Sequence, residues 1–135
     1  MTRFPSTPGL PTKSRKVSLS LPMPPSTNHL FATFNGKRIK TKPYRDWITE
    51  AGWQLHLQRA GGIEGRFSIE VLIPRPARKG KIDLDNRLKP LLDVLKKHGV
   101  IVDDSLAERI TLAWSDDGEG VRIVLEPYPF SSVGA

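Results

Sequence analysis

The stretch Asp83-Leu84-Asp85-Asn86-Arg87-Leu88-Lys89-Pro90-Leu91-Leu92-Asp93-Val94-Leu95-Lys96-Lys97-His98-Gly99-Val100-Ile101-Val102-Asp103-Asp104 sets an acidic pair, a short amphipathic helix and a second acidic pair in sequence. Leu84, Leu88, Leu91, Leu92 and Leu95 recur at helical spacing and predict one buried face, with Lys96-Lys97-His98-Gly99 as a basic, glycine-capped end. Pro90 lacks an amide donor and fits only a first turn, so the regular helix is expected from near Asn86, itself a good N-cap. Asp83 and Asp85 would splay on a helix but point the same way from an extended lead-in, with Leu84 turned into the core. Asp104 comes nineteen residues after Asp85. A reversal at Gly99 can return it to the start of the helix only if residues 100–102 run back along it, which the spacing permits without requiring.

On either side of this stretch the patterning changes from helix to strand. Phe67, Ile69, Val71 and Ile73 alternate in a strand that stops at Pro74-Arg75-Pro76, after which Arg75, Arg78, Lys79 and Lys81 crowd the approach to Asp83. Downstream, Ile110, Leu112 and Trp114 alternate, as do Val121, Ile123 and Leu125, and the turn Asp116-Asp117-Gly118-Glu119-Gly120 between them predicts a β-hairpin. Near the N-terminus, Val17-Ser18-Leu19-Ser20-Leu21 reads as a half-buried strand ending at Pro22-Met23-Pro24-Pro25. Asn35-Gly36 predicts a small basic-tipped hairpin, with Lys37 and Arg38 beside the turn. From Pro43 to about Ala60, ended by Gly61-Gly62, the chain reads as helix. Tyr44, Trp47, Ile48, Ala51 and Leu55 form one face; Trp53 and Leu57 lie on the other, which implies cover from a second subunit.

The chain has 135 residues, 38% of them apolar, enough for one domain with a modest core. Residues 1–16 form a Pro-rich basic arm without an acid, 17–128 the folded domain, and 129–135 a tail. The expected class is α+β, a small mixed or antiparallel sheet with two main helices. With 21 Lys and Arg against 14 Asp and Glu, the net charge of +7 points to a polyanion as partner. The absence of cysteine excludes disulfides and thiolate zinc sites, so a metal would be held by oxygen or histidine. His29, His56 and His98 lie on separate elements without ligand spacing, and Ser18, Ser20 and Ser26 lack a paired histidine and acid. With no signal-peptide core and no apolar span, the chain reads as soluble and intracellular.

A few carboxylates concentrated inside a basic protein imply a nuclease, because cations attract the polyanion while carboxylates hold a hard divalent cation, magnesium above all, with manganese as a substitute. Lys89, one turn from Asp85, could stabilise charge on the phosphoryl oxygens; equally, it could form a surface pair. The alternative for the acids is structural: Asp83 and Asp85 cap a helix and Asp103-Asp104 form a turn. An EF-hand does not fit, since the loop starting at Asp83 has Val94 where the twelfth-position Glu belongs.

Asp83-Leu84-Asp85-Asn86, Lys89, Asp93, Gly99 and Val102-Asp103-Asp104, together with the opening Leu21-Pro22-Met23-Pro24-Pro25-Ser26-Thr27-Asn28, resemble the RusA family of Holliday junction resolvases over roughly residues 17–126. The resemblance implies a homodimeric, magnesium-dependent endodeoxyribonuclease, often encoded by phages or prophages, that nicks symmetry-related strands of a four-way DNA junction in recombination and repair. It implies Asp83, Asp85 and Asp104 as metal ligands, Lys89 as the catalytic lysine, Asn86 and Asp103 as supporting residues, and a place in the cytoplasm of a bacterial or phage-infected cell. Arg75, Arg78, Lys79, Lys81, Lys37, Arg38 and Asn28 are the candidate DNA contacts. Ile82 departs from the family pattern, in which a basic residue commonly precedes the first Asp, and Pro90 departs within the helix. The competing readings are a non-catalytic junction or duplex-binding protein and a less selective metal nuclease for branched DNA.

Overall fold

The computed structural model describes residues 16–76, 83–116, 118 and 120–128. Its centre is the strand β4 (Phe67–Pro74), where Phe67, Ile69, Val71 and Ile73 are buried on one face while Ser68, Glu70 and Leu72 turn to the other. In chain order the other elements are β1 (Val17–Leu21), β2 (Phe31–Phe34), β3 (Lys37–Lys40), α1 (Lys42–Leu57), α2 (Leu88–Lys97), β5 (Ala107–Ser115) and β6 (Val121–Pro127). The main sheet has the order β1-β6-β4-β5, antiparallel except for the parallel β4–β5 pair, and β2–β3 form a separate antiparallel ribbon. The architecture is therefore α+β, with two helices and a mixed sheet.

The expected hairpin between the last two strands does not form: β5 and β6 both pair with β4, which lies between them. Two forces select this arrangement. The most deeply buried strand needs both backbone edges paired, and a central position supplies both. Five residues also link β5 to β6 easily across two strand spacings, about 10 Å. Gly120, where that link ends, has φ +83, and a Cβ there would come within 2.9 Å of the Leu21 carbonyl oxygen. β5 and β6 thus flank β4, and β4–α2–β5 is a crossover unit with the acidic segments before and after its helix.

The two helices close by the same device. After α2, Gly99 takes φ +77, and the amides of Gly99 and Val100 donate to the carbonyls of Lys96 and Leu95, with Val100 and Leu95 both buried. After α1, Arg59 takes the left-handed conformation at φ 54, its amide donating to His56 and that of Ala60 to Leu55. The helix expected to run to about Ala60 stops at Leu57 because this cap forms first. The start of α2 is also corrected: a 3-10 turn (Leu84–Arg87) precedes it, Leu88 is its first residue, and Pro90 lies buried in its first turn. Asn35 and Gly36 both have positive φ, as the tight hairpin turn requires.

Candidate functional site

Two pieces of chain far apart in sequence meet at the start of α2. The Pro-rich segment after β1 crosses to the 3-10 turn Leu84–Arg87, where the Thr27 hydroxyl donates to the Asn86 carbonyl at 2.5 Å and the Arg87 guanidinium donates to the Pro24 carbonyl. At the other end of the segment the Trp47 indole donates to the Pro22 carbonyl at 2.8 Å. A second 3-10 turn, Thr27–His29, packs on both Leu84–Arg87 and α2, which brings exposed Asn28 beside the acidic segment. The backbone of 83–87 is therefore held by the fold.

Asp83 is extended, at φ −73 and ψ 134, its carbonyl accepting from the Asn86 amide while its carboxylate caps nothing. Asp83 and Asp85 are exposed. Neither carboxylate has an ion pair or side-chain hydrogen bond among the described residues, and the same holds for exposed Asp104, which opens the 3-10 turn Asp104–Leu106.

Asp103 has the same extended backbone at the start of a 3-10 turn but differs in its side-chain contacts. It accepts from the Lys96 ammonium at 2.6 Å, from the Ser105 amide at 2.9 Å and from the Ser105 hydroxyl. These contacts, the Lys96 hydrogen bond first, hold its carboxyl well below the usual carboxylate range. Reciprocally, Asp103 raises the Lys96 pKa, and the charges of Asp104 and Asp93 add to the effect. Lys96 thus reaches from the last turn of α2 to the segment that follows it. On the other side, the turn carrying Asp85 packs against β5, the strand into which Asp104 leads.

Convergence stops short of a complete metal site: among the described residues no group of three or more acidic or histidine side chains is arranged to hold a metal ion. The donors are nonetheless of the kind that suits a hard cation, being carboxylate oxygens accessible to solvent. Lys89 is exposed and pairs at 3.5 Å with Asp93, one turn further along, rather than with Asp85. Arg75 is engaged with Asp116 at 2.8 Å. Lys37 and Arg38 stand exposed on the ribbon, and Arg38 lies 4.2 Å above the Phe31 ring. Arg78, Lys79, Lys81 and Ile82 lie outside the described residues, as do nearly all of the N-terminal arm and the tail.

Thr27, Arg87, Lys96 and Ser105 were not assigned these positioning roles from sequence. The Asp103 contact with Ser105 carries a legible signal, since an Asp opening a turn accepts the amide two residues on. Arg87, whose partner is a carbonyl 63 residues away, carries none.

Comparison with known proteins places these features in one family. The family described as Endodeoxyribonuclease RusA matches residues 22–126, a span that contains both the Pro-rich segment and the two acidic segments. A protein of Aquifex aeolicus (strain VF5), named Crossover junction endodeoxyribonuclease RusA, is 36% identical over 111 residues, covering 80% of this chain and 86% of its own length.

Proposed function

Because this chain belongs to the RusA family of endodeoxyribonucleases, we propose that it resolves four-way DNA junctions by paired, symmetric hydrolysis of phosphodiester bonds, in recombination and repair. The observation that carries this reading is the contrast among the acids: Asp83, Asp85 and Asp104 are exposed and unpaired among the described residues, whereas Asp103 is neutralised by Lys96. Carboxylates left unpartnered in a chain of net charge +7 are suited to a divalent cation.

In this reading Asp83, Asp85 and Asp104 hold the ion, magnesium with manganese as a substitute. The ion would supply positive charge at the phosphoryl group and ease deprotonation of the attacking water. Lys89, released from Asp93, neutralises charge that builds on the phosphoryl oxygens. Asn86 and Asp103 support the ligand segments, the first through the Thr27 bond to its carbonyl and the second through Lys96 and Ser105. Asn28, Lys37, Arg38, Arg75, Arg78, Lys79 and Lys81 bind the DNA backbone. The products are a 5′-phosphate and a 3′-hydroxyl.

Two cuts of equal polarity call for two sites related by a two-fold axis, so the working unit is a homodimer. Trp53, 60% exposed and stacked on His56, offers the contact on the outer face of α1. The nuclease comprises residues 17–128, with 1–16 and 129–135 as extensions. It works in the cytoplasm of a bacterial or phage-infected cell; no helix among the described residues is long and apolar enough to cross a membrane.

The direct test is incubation with a labelled four-way junction and its matching duplex, with magnesium and with chelator. Paired nicks in the junction alone, lost with chelator, are expected; junction binding without cleavage in magnesium would leave only a binding protein. Sedimentation tests the assembly. The wild type is expected to be a dimer at micromolar concentration and Trp53→Glu a monomer that loses paired cleavage; an intact Trp53→Glu dimer would remove α1 from the interface.

A further inference from the structure

The β2–β3 ribbon stands apart from the main sheet, and its two faces differ. Directly opposed residues of an antiparallel pair share a face, so the register puts Phe31, Thr33, Arg38 and Lys40 on one side and Ala32, Phe34, Lys37 and Ile39 on the other. The first side is turned to the body: the Phe31 ring meets Tyr44 edge-on at 5.8 Å and carries Arg38 on its other side. The second has no such cover, leaving Phe34 63% and Ile39 43% exposed next to Lys37.

Charge decides what fits that face. From Phe31 to Arg45 the chain contains Lys37, Arg38, Lys40, Lys42 and Arg45 and no acid. A second copy docked face to face would oppose like charges, and two side chains supply far less area than the roughly 800 Å² per partner of a stable association. A polyanion with exposed aromatic faces suits both features, since a base offers the ring a stacking surface while phosphates meet the cations. Stacked duplex hides its bases; a branch point exposes them.

The ribbon is also mounted on the acidic site. Its first strand begins two residues after the 3-10 turn that packs on Leu84–Arg87, and its base is fastened by the Thr41 amide to Leu30 and the Thr41 hydroxyl to His29, at 2.9 and 2.8 Å. We infer that the outward face of this ribbon is a branch-point contact, in which Phe34 stacks on an exposed base of branched DNA while Lys37, opposite it on the same face, holds the adjoining phosphate. This rests on the junction-nuclease reading and adds to it the element that distinguishes junction from duplex.

The test uses the full chain carrying Asp85→Asn, so that binding is measured without cleavage, and a four-way junction with 2-aminopurine at the branch. Binding is expected to change the 2-aminopurine fluorescence. Adding Phe34→Ala should abolish that change and weaken junction affinity roughly tenfold, the scale of one lost stacking contact. Duplex affinity should stay as it was, and Phe34→Trp should restore both signals. Equal loss on junction and duplex, or none on either, would overturn the inference while leaving the nuclease reading intact. Conversion of a dimeric parent to monomer by Phe34→Ala would overturn it in favour of a second copy as occupant. A wild type that cuts no junction, with an Asp85→Asn parent that binds none, would overturn both.

Discussion

The segments that enter and leave α2 each present a pair of aspartates to solvent, yet the fold treats them differently. Before the helix, Asp83 and Asp85 sit on backbone fastened by Thr27 and Arg87, and their carboxylates have no partner among the described residues. After the helix, one carboxylate of the pair is occupied by Lys96 and Ser105 while its neighbour Asp104 has no ion pair or side-chain hydrogen bond among the described residues. Like charges crowded on a small surface repel, and the protein relieves that repulsion at Asp103. What the contrast teaches is a division of labour: Asp103 fixes the backbone from which Asp104 projects. Asp83, Asp85 and Asp104 are left without an ion pair or side-chain hydrogen bond among the described residues, as the proposed cation site requires.

The sharpest way to break this division is to remove one charge at a time. Because Asn keeps the shape of Asp without its charge, Asp83→Asn, Asp85→Asn or Asp104→Asn should each abolish junction cleavage in magnesium while binding survives or tightens. Asp103→Asn should cost less, on the order of 10–100-fold, as expected of a residue that orients a ligand rather than being one. Single-turnover cleavage of a labelled junction measures all four. An Asp103→Asn protein as inactive as Asp104→Asn would erase the distinction, and near-normal cleavage by Asp85→Asn would remove the metal-site assignment.

A smaller effect is expected where charge assists rather than holds the ion. Lys89→Ala should lower the cleavage rate by roughly 10²-fold, comparable to losing one donor to a developing oxyanion, with a lesser effect on binding. Neutralising Arg78, Lys79 and Lys81 together should instead weaken binding and flatten its salt dependence, because each lost phosphate contact releases fewer counterions. The two variants compared in one salt titration separate chemistry at the start of α2 from attraction just before it. Identical slopes would show that no such separation exists.

Much of this comparison was legible in the sequence, and the parts that were not share a cause. Local patterns held: the leucine stripe gave the buried face of α2, alternation gave the strands, and Asn35-Gly36 gave the turn of the ribbon. Trp53 and Leu57 stand exposed in the single chain, on the face opposite the buried stripe of α1, and the cover expected from a second subunit belongs to the proposed dimer. Pairing is not legible, because alternation does not report which neighbour a strand has, so β5 and β6 read as a hairpin although β4 lies between them. The end of α1 is displaced from the glycines because Arg59 adopts a left-handed conformation that glycine signals more clearly. At the site, residue types and order pointed to Asp104 over Asp103 by resemblance. The physical ground for the difference, a lysine seven residues earlier on the helix, has no local signature.

The smallest expected effect tests that lysine contact through stability. The Asp103 carboxyl is held below its ordinary range, so folding favours its ionised form. The resulting stabilisation is complete above the unfolded carboxylate pKa, about 4, and is lost as pH falls toward the folded value. Lys96 is shifted the other way, upward, so its share is complete below the unfolded lysine pKa, about 10, and is lost as pH rises through the folded value. The pair therefore contributes across the window between them and fails at both ends. Melting temperature against pH should accordingly lie higher for the wild type than for Asp103→Asn or Lys96→Met at neutral pH, with the curves drawing together below about pH 4. The Lys96 side chain is 50% and the Asp103 side chain 35% exposed, so solvent screens the pair, the gap should be small and it should shrink with added salt. Asp104→Asn, which removes no ion pair or hydrogen bond among the described residues and only a secondary charge near Lys96, is the control and should show a much smaller gap at neutral pH. If Asp104→Asn instead shows the pH-dependent gap and Asp103→Asn does not, the occupied and unoccupied carboxylates have been assigned the wrong way round.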